Sequence, residues 1–390
     1  MSPAQITLIA AAALILAGIV TVALAARRRN IHRWLGGYLK HESERRSSRR
    51  DPDTPIHVLL CIADHFEPGW GGASIEKADA RVESWVRDYP ATHGAFRDSD
   101  GRPPRHTFFY PIDQYEPRHV DAIAGLCRAG FGEVEVHLHH DHDTAANLEA
   151  TLNRFTTLFA EKHGLLGRWP DGRPAYGFIH GNWALDNSRP DGRWCGVNNE
   201  LDILQRTGCF ADFTLPSAPD ATQTRKVNSI YYATGRPGCC KSHDRGVDVG
   251  AGPPPPGALM LIQGPLRPWW PRGSRTPKVE NGCIQHSQPP SMARLDQWTR
   301  AGVSVRSRPD WVFVKLHTHG ATEANTRVLL GEPMTRFHTD LARRAAADHR
   351  FRFHYVTARE MYNLAKAAEA GFDGPVLGAI DHLVRPSPSR

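Results

Sequence analysis

The chain has 390 residues and a formal net charge of +7, with 40% hydrophobic and 23% charged residues. That is enough to bury the core of one large or two ordinary domains, and it excludes a small module propped by disulfides or zinc. The excess charge all lies in residues 27–50, where nine Lys/Arg face Glu42 and Glu44; residues 51–390 balance at zero, which argues against a nucleic-acid binder with basic clusters on its folded body.

Residues 6–26 run for 21 positions without a charge, which predicts a helix about 31 Å long at ~1.5 Å per residue, enough for one membrane span. Arg27, Arg28 and Arg29 follow at once, with Arg33, Lys40, Arg45, Arg46, Arg49 and Arg50 behind them. The positive-inside rule then places the body in the cytoplasm. A secretory signal cleaved near residues 23–26 is the competing reading, but it calls for a positive segment ahead of the apolar run, and there is none. Seven cysteines at 61, 127, 195, 209, 239, 240 and 283 form no CxxC pair that would point to zinc or redox chemistry. Residues 32–53 read as a charged stem able to lie on anionic lipid.

Beyond the stem, residues 56–63 form a buried-strand pattern that delivers Asp64, His65 and Glu67 into a glycine-rich loop. A helix is predicted over 75–89, a strand over 107–111, a helix over 119–129, a strand over 133–138, and a helix over 144–159 with Asp143 as its N-cap. Further strands are predicted at 175–179, 258–262, 311–316 and 351–356, and helices at 198–207, 295–300, 334–348 and 360–370. Residues 216–279, rich in Gly and Pro, read as long loops with at most a short hairpin. This alternation predicts an α/β fold, an irregular (β/α) barrel of about seven strands with its site at the strand C-termini. The expected layout is an anchor at 1–26, a stem at 27–54, the barrel at 55–375 and a tail at 376–390.

Chemistry concentrates where strands end. His137, His139, His140, Asp141, His142 and Asp143 follow one strand. On a strand, i and i+2 share a face, so His137 and His139 can converge on one ion, as can His137 and Asp141 across the turn. Imidazole with carboxylate suits one divalent metal: zinc first, then iron, manganese or nickel. The apolar run 311–316 ends in His317-Thr318-His319, which could supply a proton donor or further ligands.

Asp64 after its strand, TFFYP at 107–111, the 132–137 segment with its histidine cluster, and Val314-Lys315-Leu316-His317 occur in order. Over about residues 55–370 this pattern resembles the polysaccharide deacetylase (chitin-deacetylase-like) superfamily. The resemblance implies a divalent metal held by an aspartate and two histidines, a second aspartate as base and a late histidine as acid. Here it implies Asp64 as base with His65 on the metal, or Asp64 on the metal with Glu67 or no residue as base; His137 with Asp141, or with His139 or His140, as further ligands; and His317 as acid. Three departures from the family pattern are plain: one aspartate instead of two after the first strand, Asp141 where a second histidine is usual, and no arginine in the groove segment that carries His180, Asn182 and Trp183. Those three residues are the expected substrate contacts, and Trp183, Trp269 and Trp270 are candidates for stacking on sugar.

The function this implies is removal of an N-acyl (acetyl) group from a glycan or lipid-linked saccharide, by a single-pass enzyme held to membrane lipid through its anchor. A glycoside hydrolase on the same barrel, and a non-catalytic glycan-binding component of a polysaccharide assembly, are the alternatives.

Overall fold

A computed structural model describes residues 2–47 and 53–387; Arg49 and Arg50, and the parts of the expected stem and tail at 48–52 and 388–390, lie outside the described residues. α1 (Pro3–Arg28) has 26 residues, begins at a Ser2 capping box and has none of its apolar stretch buried. At ~1.5 Å per residue it is about 39 Å long, and so it is long and apolar enough to cross a membrane.

The expected stem is instead a second helix, α2 (Ile31–Ser47), docked on the body. Trp34 and Tyr38, one helical turn apart, pack with Ala218, Val227 and Leu266 in a small core of their own. Gly37 makes this possible: a Cβ there would meet the Arg225 carbonyl oxygen at 1.7 Å. His41 Nε2 lies 2.7 Å from the Ala301 carbonyl oxygen, where it donates to it.

The body is a mixed α/β structure around a mostly parallel sheet. In chain order its elements are β1 (Ile56–His65), α3 (Ile75–His93), β2 (His106–Pro111), α4 (Pro117–Leu126), β3 (Gly132–Leu138), α5 (Ala145–Glu161), β4 (Gly167–Arg168), β5 (Pro174–His180), α6 (Glu200–Arg206), β6 (Cys209–Asp212), β7 (Ile230–Ala233), β8 (Val247–Asp248), β9 (Leu259–Ile262), β10 (Arg267–Trp269), β11 (Lys278–Glu280), α7 (Met292–Ala301), β12 (Trp311–Thr318), α8 (Glu323–Leu329), α9 (Glu332–Ala347), β13 (Phe351–Tyr355) and α10 (Ala358–Glu369). The Gly/Pro-rich stretch thus holds β7 to β11, of which β10 and β11 form the expected hairpin. Thr144, not Asp143, caps α5 by accepting from Asn147 N; Asp143 accepts from Thr144 N and Asn147 Nδ2.

The sheet order is β12-β1-β2-β3-β5-β6-β9-β7-β8. β12 runs the length of β1, from His57 opposite Trp311 to Asp64 opposite Thr318. On the other side of β1, β13 pairs with Ile56–Leu60 and β2 with Ala63–His65. The sheet curls enough for Lys315 Nζ on β12 to donate to the Phe213 carbonyl just past β6, at 2.7 Å. Among the described residues, no strand pairing joins β12 to β9 and closes a ring.

Both faces of this sheet are buried, as parallel sheets require. Val58, Leu60, Val134 and Val136 belong to one apolar cluster, beneath α3 to α6; Leu59, Cys61, Ala63, Phe109 and Phe313 belong to the other, covered by α10. The expected tail at 376–390 completes that second cluster: Val376, Ala379 and Val384 are buried in it, and Arg359 Nη1 donates to Val384 O at 2.7 Å.

Candidate metal centre

Three strands carry histidine on the α10-covered face at or near their C-terminal ends. On β1, His65 continues the parity of Cys61 and Ala63; on β12, Lys315, His317 and His319 continue that of Phe313; on β3, His137 faces away from Val134 and Val136. His139 follows β3 and Glu67 follows β1. These five side chains meet: Glu67 Oε1 lies 3.0 Å from His137 Nε2, 3.6 Å from His139 Nε2 and 3.9 Å from His319 Nε2. The His65 ring stands 4.9 Å from that of His137 and 4.7 Å from that of His319, centroid to centroid.

The hydrogen bonds behind the rings decide what their inner nitrogens offer. His137 Nδ1 is 2.8 Å from the Ile179 carbonyl oxygen, and His139 Nδ1 is 3.3 Å from an Asp113 carboxylate oxygen. A carbonyl or an ionised carboxylate only accepts, so each Nδ1 carries a hydrogen and each neutral ring turns a bare Nε2 lone pair toward Glu67. Acceptors facing one another in a buried space call for a cation between them, and outer partners of this kind are what metal-bound histidines use. The donor set fits a divalent metal that accepts imidazole and carboxylate.

The charges agree with this. Burial, reinforced by His319 and His137, holds His65 well below the usual imidazole range, which keeps it in the neutral form a ligand needs. Burial would raise Glu67, but the close approach of His137 and the other histidines around it outweigh burial and leave the carboxyl lowered and ionised. Burial pulls His139 down, yet the Asp113 hydrogen bond and charge leave it raised; a cation among the donors reverses that balance. One side of the ring is open: His139 and His319 keep 25% and 24% of their side-chain surface, against 0% for His137 and 3% for Glu67. Trp70, 45% exposed, packs its ring 4.7 Å from His319 at that opening.

His65, His137 and His139 are therefore brought together as expected, and four expected positions fall elsewhere. Asp64 points to the opposite face of β1, where Oδ2 accepts from His106 Nε2 at 2.8 Å and Oδ1 from Gly320 N at 2.6 Å, so both oxygens are turned away from the ring. Asp141 sits at the surface, accepting from Trp194 N at 2.6 Å, and takes no place in the ring. His317 lies on the correct face but two residues below His319, away from the opening; it is 5% exposed, and burial together with Lys315 lowers it. His180 turns to the α6 side of the sheet, fully buried, and burial lowers it to about 4. Asn182 is exposed and Trp183 partly buried, both with positive φ just beyond β5; that segment approaches the ring through Gly181, where a Cβ would stand 2.3 Å from the His139 ring. Trp270 lies in the β10–β11 connection, 62% exposed.

Sequence reasoning named Glu67 only as a possible base, gave His319 no role apart from the His317-Thr318-His319 run, and passed over Asp113 and Trp70. The signal for His319 was present, since it repeats the i, i+2 spacing of His137 and His139. Compared with protein-family models and with curated protein sequences, the chain matches none.

Proposed function

We propose that this protein is a membrane-anchored, metal-dependent hydrolase that removes an N-acyl group from a membrane-associated glycan, on a barrel-like α/β body of the polysaccharide deacetylase kind. The observation that carries the reading is the ring itself, in which the bare Nε2 lone pairs of His137 and His139 face the Glu67 carboxylate at the tips of parallel strands. His137 and His139 would hold the ion beside the Glu67 carboxylate, the three donors lying within 4.8 Å of one another. A bound divalent ion supplies Lewis acidity, polarising an acyl carbonyl and making a bound water more acidic.

The remaining work belongs to the chain. Glu67 Oε1 accepts a proton from the attacking water. His319 Nε2, 3.9 Å from that oxygen, receives it and delivers it to the departing amine. Trp70 offers an apolar face for a sugar ring beside His319. The ring holds one carboxylate free to act, with Asp113 engaged by His139, which favours acyl hydrolysis over glycosidic cleavage by two flanking carboxylates.

Anchor and ring support a membrane-associated substrate together. α2 packs on the loops leaving β6 and β9, at Ala218 and Leu266. β1, β3, β6 and β9 are linked by parallel pairings, so this is the end of the sheet where the ring lies. The basic residues after α1 favour the cytoplasmic side for the body.

The test is acetate release from N-acetylated, lipid-linked saccharides by the full-length protein. Chelator and His137→Ala abolish it, while Glu67→Gln keeps the metal and lowers turnover about 10²–10⁴-fold, the usual worth of a general base. Metal-loaded protein that binds such glycans without releasing acetate would instead favour a glycan-binding component.

A further inference from the structure

On the opposite face of the sheet, back to back with the ring, four more donors converge: His140 after β3, His180 at the end of β5, Cys195 in the following loop and Glu200 at the start of α6. We propose that these four residues form a second, structural metal site for zinc or another divalent cation that accepts sulfur. The inference is independent of the hydrolase reading.

His180 Nδ1 lies 2.6 Å from the Gly181 carbonyl oxygen and must donate to it, so Nε2 is left bare. That nitrogen is completely buried, has no hydrogen-bond partner, and points at Glu200 Oε1 from 3.5 Å. A lone pair aimed at a carboxylate oxygen in a dry space is repulsive unless a cation lies between them. His140 differs in which nitrogen is engaged: its Nε2 is hydrogen-bonded to Glu200 Oε1 at 3.2 Å, while its buried Nδ1, 3.0 Å from Asp143 Oδ2, makes no hydrogen bond. Cys195 Sγ accepts from Val197 N at 3.5 Å and as a thiol donates to Glu200 Oε2 at 3.5 Å; a bound ion would take the place of that thiol hydrogen.

The spacing fits a tetrahedral ion. With metal–nitrogen and metal–oxygen bonds of about 2.0–2.1 Å and a metal–sulfur bond of about 2.3 Å, the donor–donor edges of a tetrahedron come to roughly 3.3–3.6 Å. Glu200 Oε1 lies 3.2 and 3.5 Å from the two imidazole nitrogens, its Oε2 lies 3.5 Å from the Cys195 sulfur, and one donor atom from each of the four residues lies within 4.8 Å of the others. One thiolate and one carboxylate cancel a double positive charge, so the filled site is neutral where His180, Cys195 and Glu200 are fully buried. With all four positions taken by protein, no place remains for water or substrate, the mark of a structural site. Such an ion clamps the turn after β3 to the loop before α6, and it fixes the backbone from which His139 enters the ring on the other side.

Sulfur distinguishes the two sites, because the ring contains none. The experiment loads the purified full-length protein with Co(II) and reads metal content together with thiolate-to-cobalt charge-transfer absorption. Wild type is expected to show the band. Cys195→Ser loses the band and one ion per chain, whereas His137→Ala loses one ion and keeps the band. His180→Cys, which exchanges a nitrogen donor for a second thiolate, keeps the ion and strengthens the band. Cobalt-loaded wild type without the band overturns the proposal, as does a Cys195→Ser protein with undiminished metal content. Should Cys195→Ser fail to fold, an unchanged band in His180→Cys overturns it equally.

Discussion

Replacing Asp64 separates two roles that the residue's place after β1 would allow. Its side chain is wholly buried and ties the end of β1 to Gly320, the residue after His319, and to His106 on β2. Trp85 Nε1 donates to the Gly320 carbonyl oxygen at 3.2 Å and completes the staple. Asp64→Ala strands two buried donors, each costing about 1–3 kcal/mol, so a total loss of about 2–6 kcal/mol is expected. Asp64→Asn keeps an acceptor for Gly320 N but turns an amide toward His106, and should lose about 1.5–3 kcal/mol, the worth of one bond to a charged group. Against a domain stability of about 5–15 kcal/mol these are large fractions. Urea unfolding at constant slope measures them, and calorimetric titration measures the metal. Both variants should bind metal at the ring with undiminished stoichiometry and reduced stability, alanine more than asparagine. A pair of variants as stable as wild type but lacking ring metal or turnover would refute this placement of Asp64 and restore it to the chemistry.

Gly181→Ala forces the His139 ring aside, since the new methyl would stand 2.3 Å from it; competition titration should show ring-metal affinity down about 10–100-fold, as for loss of an orienting partner. Metal affinity should also fall with acid. His139 is raised above the ordinary imidazole range chiefly because Asp113 outweighs burial, so as pH falls through that raised value a proton competes with the ion, beginning above the usual pKa of about 6.5. Asp113→Asn should move the onset to lower pH, and an affinity independent of pH between 8 and 6 would count against the assignment. Trp34→Ala should cost about 3–5 kcal/mol locally and free α2 from the body, seen as faster protease cleavage between α1 and β1 with the urea midpoint of the body little changed.

Much of the architecture was legible because burial writes periodicity into sequence. The apolar runs at β1, β3 and β12 and the amphipathic helices α3, α5 and α9 all occur within a few residues of where patterning put them. α2 escaped because its apolar contact is small, Trp34 and Tyr38 among charges, and its Gly37 contact with Arg225 depends on a chain segment some 190 residues away. β6 to β8 escaped because strands of two to four residues carry too few alternations to read. Cys195 drew no notice without a paired cysteine, although a mixed donor set needs only one.

By itself the sequence determined that histidines stand at the ends of buried strands, that one apolar segment can cross a membrane, and that the body is α/β. Only the tertiary structure decided which histidines face which side: His65 and not Asp64, His139 and His140 back to back, His180 away from His137. The physical reason is the two-residue period of a strand. Neighbouring side chains leave on opposite faces, and here both faces are covered by apolar packing, so nothing local marks which one will close around an ion.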